Sequence, residues 1–214
     1  MNTTAAKPAA SRNARAAPHS DLPGEVVLVL QGGGALGAYQ VGVYEALHDA
    51  GIEPAWVIGT SIGAINAALI ACNPLEHRME RLNAFWRHVE QPATVAGPLD
   101  WLGMGNWVGN MNTVMRGIPA FFEPSLAALR GTRAQVGVEA AAYYSTDPLR
   151  HTLGELVDFN CLQGGPTRLT VGAVNACTGA MRYFDSRDET LGVDHVMASG
   201  ALPPAFPAVE IDGQ

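Results

Sequence analysis

Ser61 stands in the turn Gly59-Thr60-Ser61-Ile62-Gly63, and a second glycine-rich turn, Gly32-Gly33-Gly34-Ala35-Leu36-Gly37, lies shortly before it. A G-x-S-x-G turn between strand and helix holds a serine hydroxyl exposed, and its small neighbours leave room for a carbonyl to approach. Consecutive backbone N–H groups beside a helix start suit an oxygen that gains negative charge during acyl transfer. The two turns together therefore read as a nucleophile and an oxyanion site. Ser61 is the nucleophile, within an elbow of Gly59, Ile62 and Gly63, and Gly32, Gly33 and Gly34 form the anion-binding turn. The chemistry is nucleophilic catalysis through an acyl-serine.

The elements that must hold these turns are also legible. Val26 to Leu30 is an unbroken apolar run rich in β-branched residues, which predicts a buried parallel strand. Tyr39, Val43, Ala46, Leu47 and Ala50 recur at helical spacing and predict the buried face of a helix that ends at Gly51. Ala55 to Ile58 is a second short strand leading into the elbow. From Ile62 to Ala71 the chain is apolar or small nearly all round, which predicts a central buried helix stopped by Asn73-Pro74. Further on, Arg168 to Val174 reads as a buried strand, and Tyr183-Phe184-Asp185 as its return after a turn at Thr178-Gly179. The expected fold class is α/β with a mainly parallel central sheet.

The stretches QGGGALGAYQVGVYEAL, GTSIGAINAALIA and HVMASGALPPAFPAVEIDG, in this order, resemble the patatin-like phospholipase family in its bacterial branch. The resemblance runs from about Glu25 to Gln214. It implies a three-layer α/β fold, a lipid acyl hydrolase of phospholipase A or esterase type, and a Ser-Asp dyad without histidine. It implies no metal and no organic cofactor. By position it assigns the nucleophile to Ser61 and oxyanion N–H donors to Gly33 and Gly34. Many members carry Arg or Lys where this chain has Leu36. In the family the catalytic Asp belongs to a D-G-G or D-G-A triplet a few residues after the I-D-G turn, here Ile211-Asp212-Gly213. That alignment makes Asp212 a turn residue and places the catalytic Asp beyond Gln214, so the domain over 25–214 is expected to be incomplete and the chain as written inactive. Asp-Gly is in any case a common turn dipeptide.

Composition agrees with one globular body: 48% of the 214 residues are hydrophobic, enough for a single core. Residues 1–24 differ. The first twenty carry Lys7, Arg12 and Arg15 with no acid, and they read as a disordered tail. No secretory h-region and no run of about 18 apolar residues is present. From Asp21 onward 20 acidic and 10 basic side chains give a net −10, which excludes nucleic acid as a partner. The same charge leaves hydrophobic contact as the route to a membrane surface. The expected partner is a lipid or other acyl ester. Cys72, Cys161 and Cys177 are odd in number and far apart, which fits packing roles and reduced thiols in a cytoplasmic protein.

Three rival readings bear on the site. Ser61, Asp185 and His195 occur in the Ser, Asp, His order of an α/β-hydrolase triad, but Gln31 precedes the glycines where an H-G-G-G motif is usual, and His195 reads as structural. Gly32-x-Gly34-x-x-Gly37 matches a dinucleotide fingerprint with Glu53 as the ribose acid, yet Glu53 precedes the second strand rather than ending it. A catalytically inactive lipid-binding protein is the third. Between Asn83 and Asn160 a stripe of Trp107, Val108, Met111, Val114, Met115 and Ile118, flanked by Trp101, Phe121 and Phe122, reads first as core and second as an acyl or lipid contact.

Overall fold

The computed structural model describes residues 22–90, 121–124 and 142–214. The N-terminal tail up to residue 21, and the Trp101 and 107–118 stripe, lie outside the described residues. Among the described residues four strands form the main sheet, in the order β1 (Val27–Leu30), β2 (Trp56–Thr60), β5 (Arg168–Val174) and β6 (Met181–Asp185). The first three run parallel and β6 antiparallel, so this is a mostly parallel α/β sheet with helices. A short antiparallel pair, β3 (Glu123–Pro124) with β4 (Tyr144–Ser145), stands apart. The α-helices among the described residues are α1 (Gly37–Asp49), α2 (Ile62–Ala71), α3 (Arg78–Val89), α4 (Asp147–Leu156) and α5 (Val193–Gly200).

Every residue of α2 is buried. A helix with no polar stripe has no side to show to water, and α2 accordingly fills the space between α1, α3, α5 and the sheet. The register explains the core. Leu30, Gly59, Val171 and Phe184 lie in one row across the four strands, and Leu28, Val57 and Leu169 in the next row on the same face, two residues back. Leu30, Val57, Leu169, Val171 and Phe184 are buried. Gly51 has φ 72 at the end of α1 and Gly179 has φ 71 in the β5–β6 turn, as the breaks in pattern require.

Two expectations fail, both for reasons of facing. Among the described residues β1 is an outer strand of the sheet, and only Leu30 of its four residues is buried. Val27 and Val29 are 43% and 66% exposed because the two-residue period turns them away from α2. In α1 the stripe through Tyr39 and Val43 is exposed, at 80% and 39%, while Gly37 and Tyr44 are buried. The inward face carries polar groups whose hydrogen bonds are met: the Tyr44 hydroxyl donates to Glu53 Oε2 at 2.8 Å, and Gln40 Oε1 accepts from Asn66 Nδ2 at 2.9 Å. Satisfied polar groups bury readily, so hydrophobicity alone points to the wrong face. The cysteines divide similarly. Cys72 is buried, and burial pushes its thiol pKa up; Cys177 is exposed in the turn after β5, which overturns its assignment to packing.

On the other face of the sheet, Arg168 Nε donates to both carboxylate oxygens of Asp185 at 2.9 Å, and Thr170 adds its hydroxyl. Burial works against the Asp185 charge, but these donors and the Arg187 N–H outweigh it and hold the carboxyl below its usual range. A depressed carboxylate stabilises the fold above its unfolded pKa of about 3.9, and that contribution is lost as pH falls through the folded value. Asp185→Asn is therefore expected to lower Tm at pH 7, with the gap from wild type shrinking below about pH 4. A gap that stays constant from pH 7 to pH 2.5 in thermal unfolding would remove this account.

Candidate active site

β2 ends at Thr60, and the chain turns through Ser61 at φ 56 and ψ −126 into α2, for which Ser61 is the N-cap. This is a strained conformation for a residue with a side chain, and such strain persists only where packing over-determines it. The neighbouring glycines show how. A Cβ on Gly59 would lie 2.4 Å from the Gly63 carbonyl oxygen, and one on Gly63 would lie 2.1 Å from that of Leu30. The turn thus closes against the backbone of β1 without room for a methyl group. The Ser61 carbonyl accepts from Ala64 N–H at 2.9 Å, which starts the helix.

The glycine turn lies beside this elbow. Gly32 is close enough that a Cβ there would be 3.2 Å from Ser61 Cβ. Gly33 and Gly34 have φ 150 and 56, and both are exposed. Among the described residues their N–H groups have no hydrogen-bond acceptor, whereas the Gly33 carbonyl is used by Leu36 N–H. Free N–H groups at the entrance to a helix are the donors an oxyanion needs. A polar chain braces the turn from behind. Gln40 Nε2 donates to the Gln31 carbonyl at 2.8 Å, Asn66 Nδ2 to Gln40 and to the Gly37 carbonyl, and Trp86 Nε1 to Asn66 Oδ1 at 3.0 Å. Asn66, inside an otherwise apolar helix, was not singled out from sequence. Its lone polar character among Ile62 to Ala71 is the signal that marks it.

Ser61 and Gly34 open into a cavity of about 870 Å³. Its walls come from Ala35 and Ala38 of the glycine turn and α1, Trp86 and Val89 of α3, and the segment from Ser199 to Leu202 with Phe206. Phe121 and Phe122 also line it, so these two flanks of the predicted stripe do reach the cavity. They stack with Phe206 and Tyr144 at centroid distances of 5.0 to 6.2 Å. The lining is mostly apolar, with the Ser61 and Ser199 hydroxyls beside the glycine turn and Asn83, Arg87 and Glu90 supplied by α3 and the residue that follows it. Among the described residues Glu90 is the only carboxylate that lines it.

The remaining sequence candidates lie elsewhere or are already engaged. Asp212, at φ 56 in the turn closed by Ile211 and Gln214, accepts from the Arg182 guanidinium at 3.0 Å and does not line the Ser61 cavity. Asp185 is held by Arg168 at the register position of Thr170, on β6. His195 Nδ1 accepts from the Gly192 N–H at 3.0 Å at the start of α5, and its ring meets Phe184 edge-on. No hydrogen bond joins Ser61, Asp185 and His195 among the described residues. Glu53 accepts from Tyr44, His48 and the buried Arg78, a structural use that leaves no ribose-binding acid at the end of β2. One contact was missed from sequence altogether: the Ser61 N–H donates to Ser199 Oγ at 2.8 Å.

Residues 28–214 match the family model described as patatin-like phospholipase. The chain is 47% identical over 70 residues to "Lysophospholipase nte1" of Aspergillus terreus, a match covering 29% of this chain and 5% of that protein. It is 37% identical over 62 residues to "Triacylglycerol lipase ptl3" of Schizosaccharomyces pombe, covering 29% of this chain and 13% of that one. The matches therefore span a small part of these relatives. Among solved structures the chain is similar to VipD from Legionella pneumophila, at 15% identity and a TM-score of 0.40 over 86% of this chain and 43% of that one. It is also similar to the type III effector protein ExoU, at 18% identity and a TM-score of 0.39 over 84% of this chain and 40% of that one.

Proposed function

The chain belongs to the patatin-like phospholipase family, and from that premise we propose that it hydrolyses acyl esters of lipids with Ser61 as the nucleophile. The observation that carries the reading is Ser61 itself, held at φ 56 at the N-terminus of α2 and opening with Gly34 into the apolar cavity. Ser61 Oγ attacks the ester carbonyl as its proton passes to an aspartate acting as general base. The carbonyl oxygen becomes an oxyanion, and the Gly33 and Gly34 N–H groups hold it. Collapse of the tetrahedral intermediate breaks the ester C–O bond, and the alcohol leaves with the proton from the aspartate. Water, deprotonated by the same carboxylate, then attacks the acyl-serine carbonyl; the C–Oγ bond breaks, the fatty acid leaves, and the proton passes from the carboxyl to Ser61 Oγ. We assign the base to an aspartate other than Asp212, whose carboxylate is bound to Arg182.

Lipid is favoured over a polar ester by the walls of the cavity. The aromatic group of Phe121, Phe122 and Phe206 offers an acyl chain an apolar path away from Ser61. Leu202 lines the same cavity and is 65% exposed, and Leu36 and Tyr39, beside the lining residues Ala35 and Ala38, are more exposed still. Such a rim makes peripheral contact with a lipid surface without needing charge. A fluorophosphonate probe is expected to form a single adduct on Ser61, located by peptide mapping with mass spectrometry. An adduct confined to a peptide that lacks residue 61, or no adduct at all, would overturn the assignment.

A further inference from the structure

In a parallel ladder the bonding residue of one strand gives its N–H to one neighbour-strand carbonyl and takes an N–H two residues further on. Arg168 N–H donates to the Ala55 carbonyl, and Trp56 is opposite Arg168. Alternate residues of β5, namely Arg168, Thr170 and Gly172, thus carry the rungs to β2. Continued by this rule, the rung from the Gly172 carbonyl falls on the Ser61 N–H, since Thr60 is opposite Gly172. That rung is replaced. Ser199 Oγ accepts from Ser61 N–H at 2.8 Å and donates to the Gly172 carbonyl at 2.6 Å.

Ser199 lies in the last turn of α5, is 9% exposed, and lines the Ser61 cavity together with the three residues that follow it. Its hydroxyl is a wedge with the right polarity on both sides: the lone pairs meet an N–H, and the proton meets a carbonyl. Without the wedge both backbone groups would be left unpaired inside the protein, or the strands would close and pull Ser61 into the sheet.

We infer that Ser199 is a positioning residue, whose hydroxyl holds the backbone of Ser61 off the β2–β5 ladder and so keeps Ser61 Oγ directed into the cavity. This rests on the reading of Ser61 as nucleophile. The hydroxyl touches no reacting atom; it acts through the φ and ψ of the residue that does. A displacement of about 1 Å in a reacting group lowers rate by about 100-fold, and loss of the wedge permits movement on that scale.

The test compares Ser199→Ala and Ser199→Thr in the full-length protein, with fluorophosphonate labelling of Ser61 and turnover of a p-nitrophenyl ester as readouts. Ser199→Ala is expected to lower the labelling rate and kcat together by about 10- to 100-fold, with KM changed by less than about 3-fold. Ser199→Thr keeps the hydroxyl and is expected to recover labelling to within about 5-fold of wild type. Circular dichroism establishes whether each variant is folded. A folded alanine variant that labels at the wild-type rate would overturn the inference. If the alanine variant does not fold, Ser199→Cys, of nearly the same shape but a weak donor and acceptor, takes its place, and labelling at the wild-type rate is again the contrary result. Wild-type protein that gives no Ser61 adduct would instead sink the nucleophile assignment, so the two failures are distinct.

Discussion

Replacing Ser61 by alanine in the full-length protein is expected to lower ester turnover by about four to six orders of magnitude, the scale on which hydrolases lose activity with their nucleophile. The fold is expected to survive unchanged. Among the described residues Ser61 Oγ makes no hydrogen bond, and the one contact its backbone N–H makes, to Ser199, is kept by alanine. Alanine and serine also bear the same kind of strain at φ 56. Thermal unfolding should therefore agree with wild type to within about 0.5 kcal/mol. The rate that remains reports binding and the oxyanion turn alone. Turnover retained by Ser61→Ala at the wild-type rate would place the reacting group elsewhere in the cavity.

Gly63→Ala is expected to do the reverse, removing stability first and activity with it. The added Cβ would lie 2.1 Å from the Leu30 carbonyl oxygen, 2.6 Å from its carbon and 2.8 Å from the Gln31 carbonyl oxygen. All three atoms are backbone, so no side chain can rotate aside. Relief requires α2 to move away from β1, and α2 is buried on every side. Overpacking usually costs about 1 to 3 kcal/mol, and with only backbone to give way the upper end, about 3 kcal/mol, is expected here. At about 2 to 4 °C per kcal/mol for a domain of this size, Tm falls by about 6 to 12 °C. Gly154→Ala is the matched control. Gly154 is exposed inside α4 with nothing within 4 Å of its Cβ position, and alanine there is expected to gain about 0.5 to 1 kcal/mol through helix propensity. If the two variants melt together, close packing at the elbow does not maintain the fold.

Both variants act at positions visible in the sequence, and the reason is physical. A nucleophile elbow needs small residues at fixed offsets from the serine, because backbone approaches backbone there, and that demand leaves a pattern in the chain. The same holds for α2, whose lack of any polar stripe can be met only by burial on all sides. Strand β5 was legible over its full length for a like reason: Leu169 to Ala173 are buried, so its apolar run has no alternation to blur its ends. The facing of α1 was not legible. Tyr39 and Val43 offered an apolar stripe, yet the buried face is built on Tyr44 and Gln40, whose polar atoms are matched by Glu53 and Asn66.

What the sequence determined by itself is local: the strand, turn and helix around Ser61, the glycine turn beside it, the order of the elements, and the likeness to one family that these motifs carry. Each follows from interactions among residues a few positions apart, where spacing is the geometry. Only the tertiary structure decided which residues from distant segments meet. It brings Phe121, Phe122 and Phe206 to one wall, engages Glu53 with Arg78 and Asp212 with Arg182, and sets Ser199, 138 residues from Ser61, against its backbone. A hydroxyl in a helix carries no mark in its own neighbourhood of the carbonyl and N–H it will bridge. Those partners are fixed by strand register and by the packing of α5 on β5, and neither has a period that can be read along the chain.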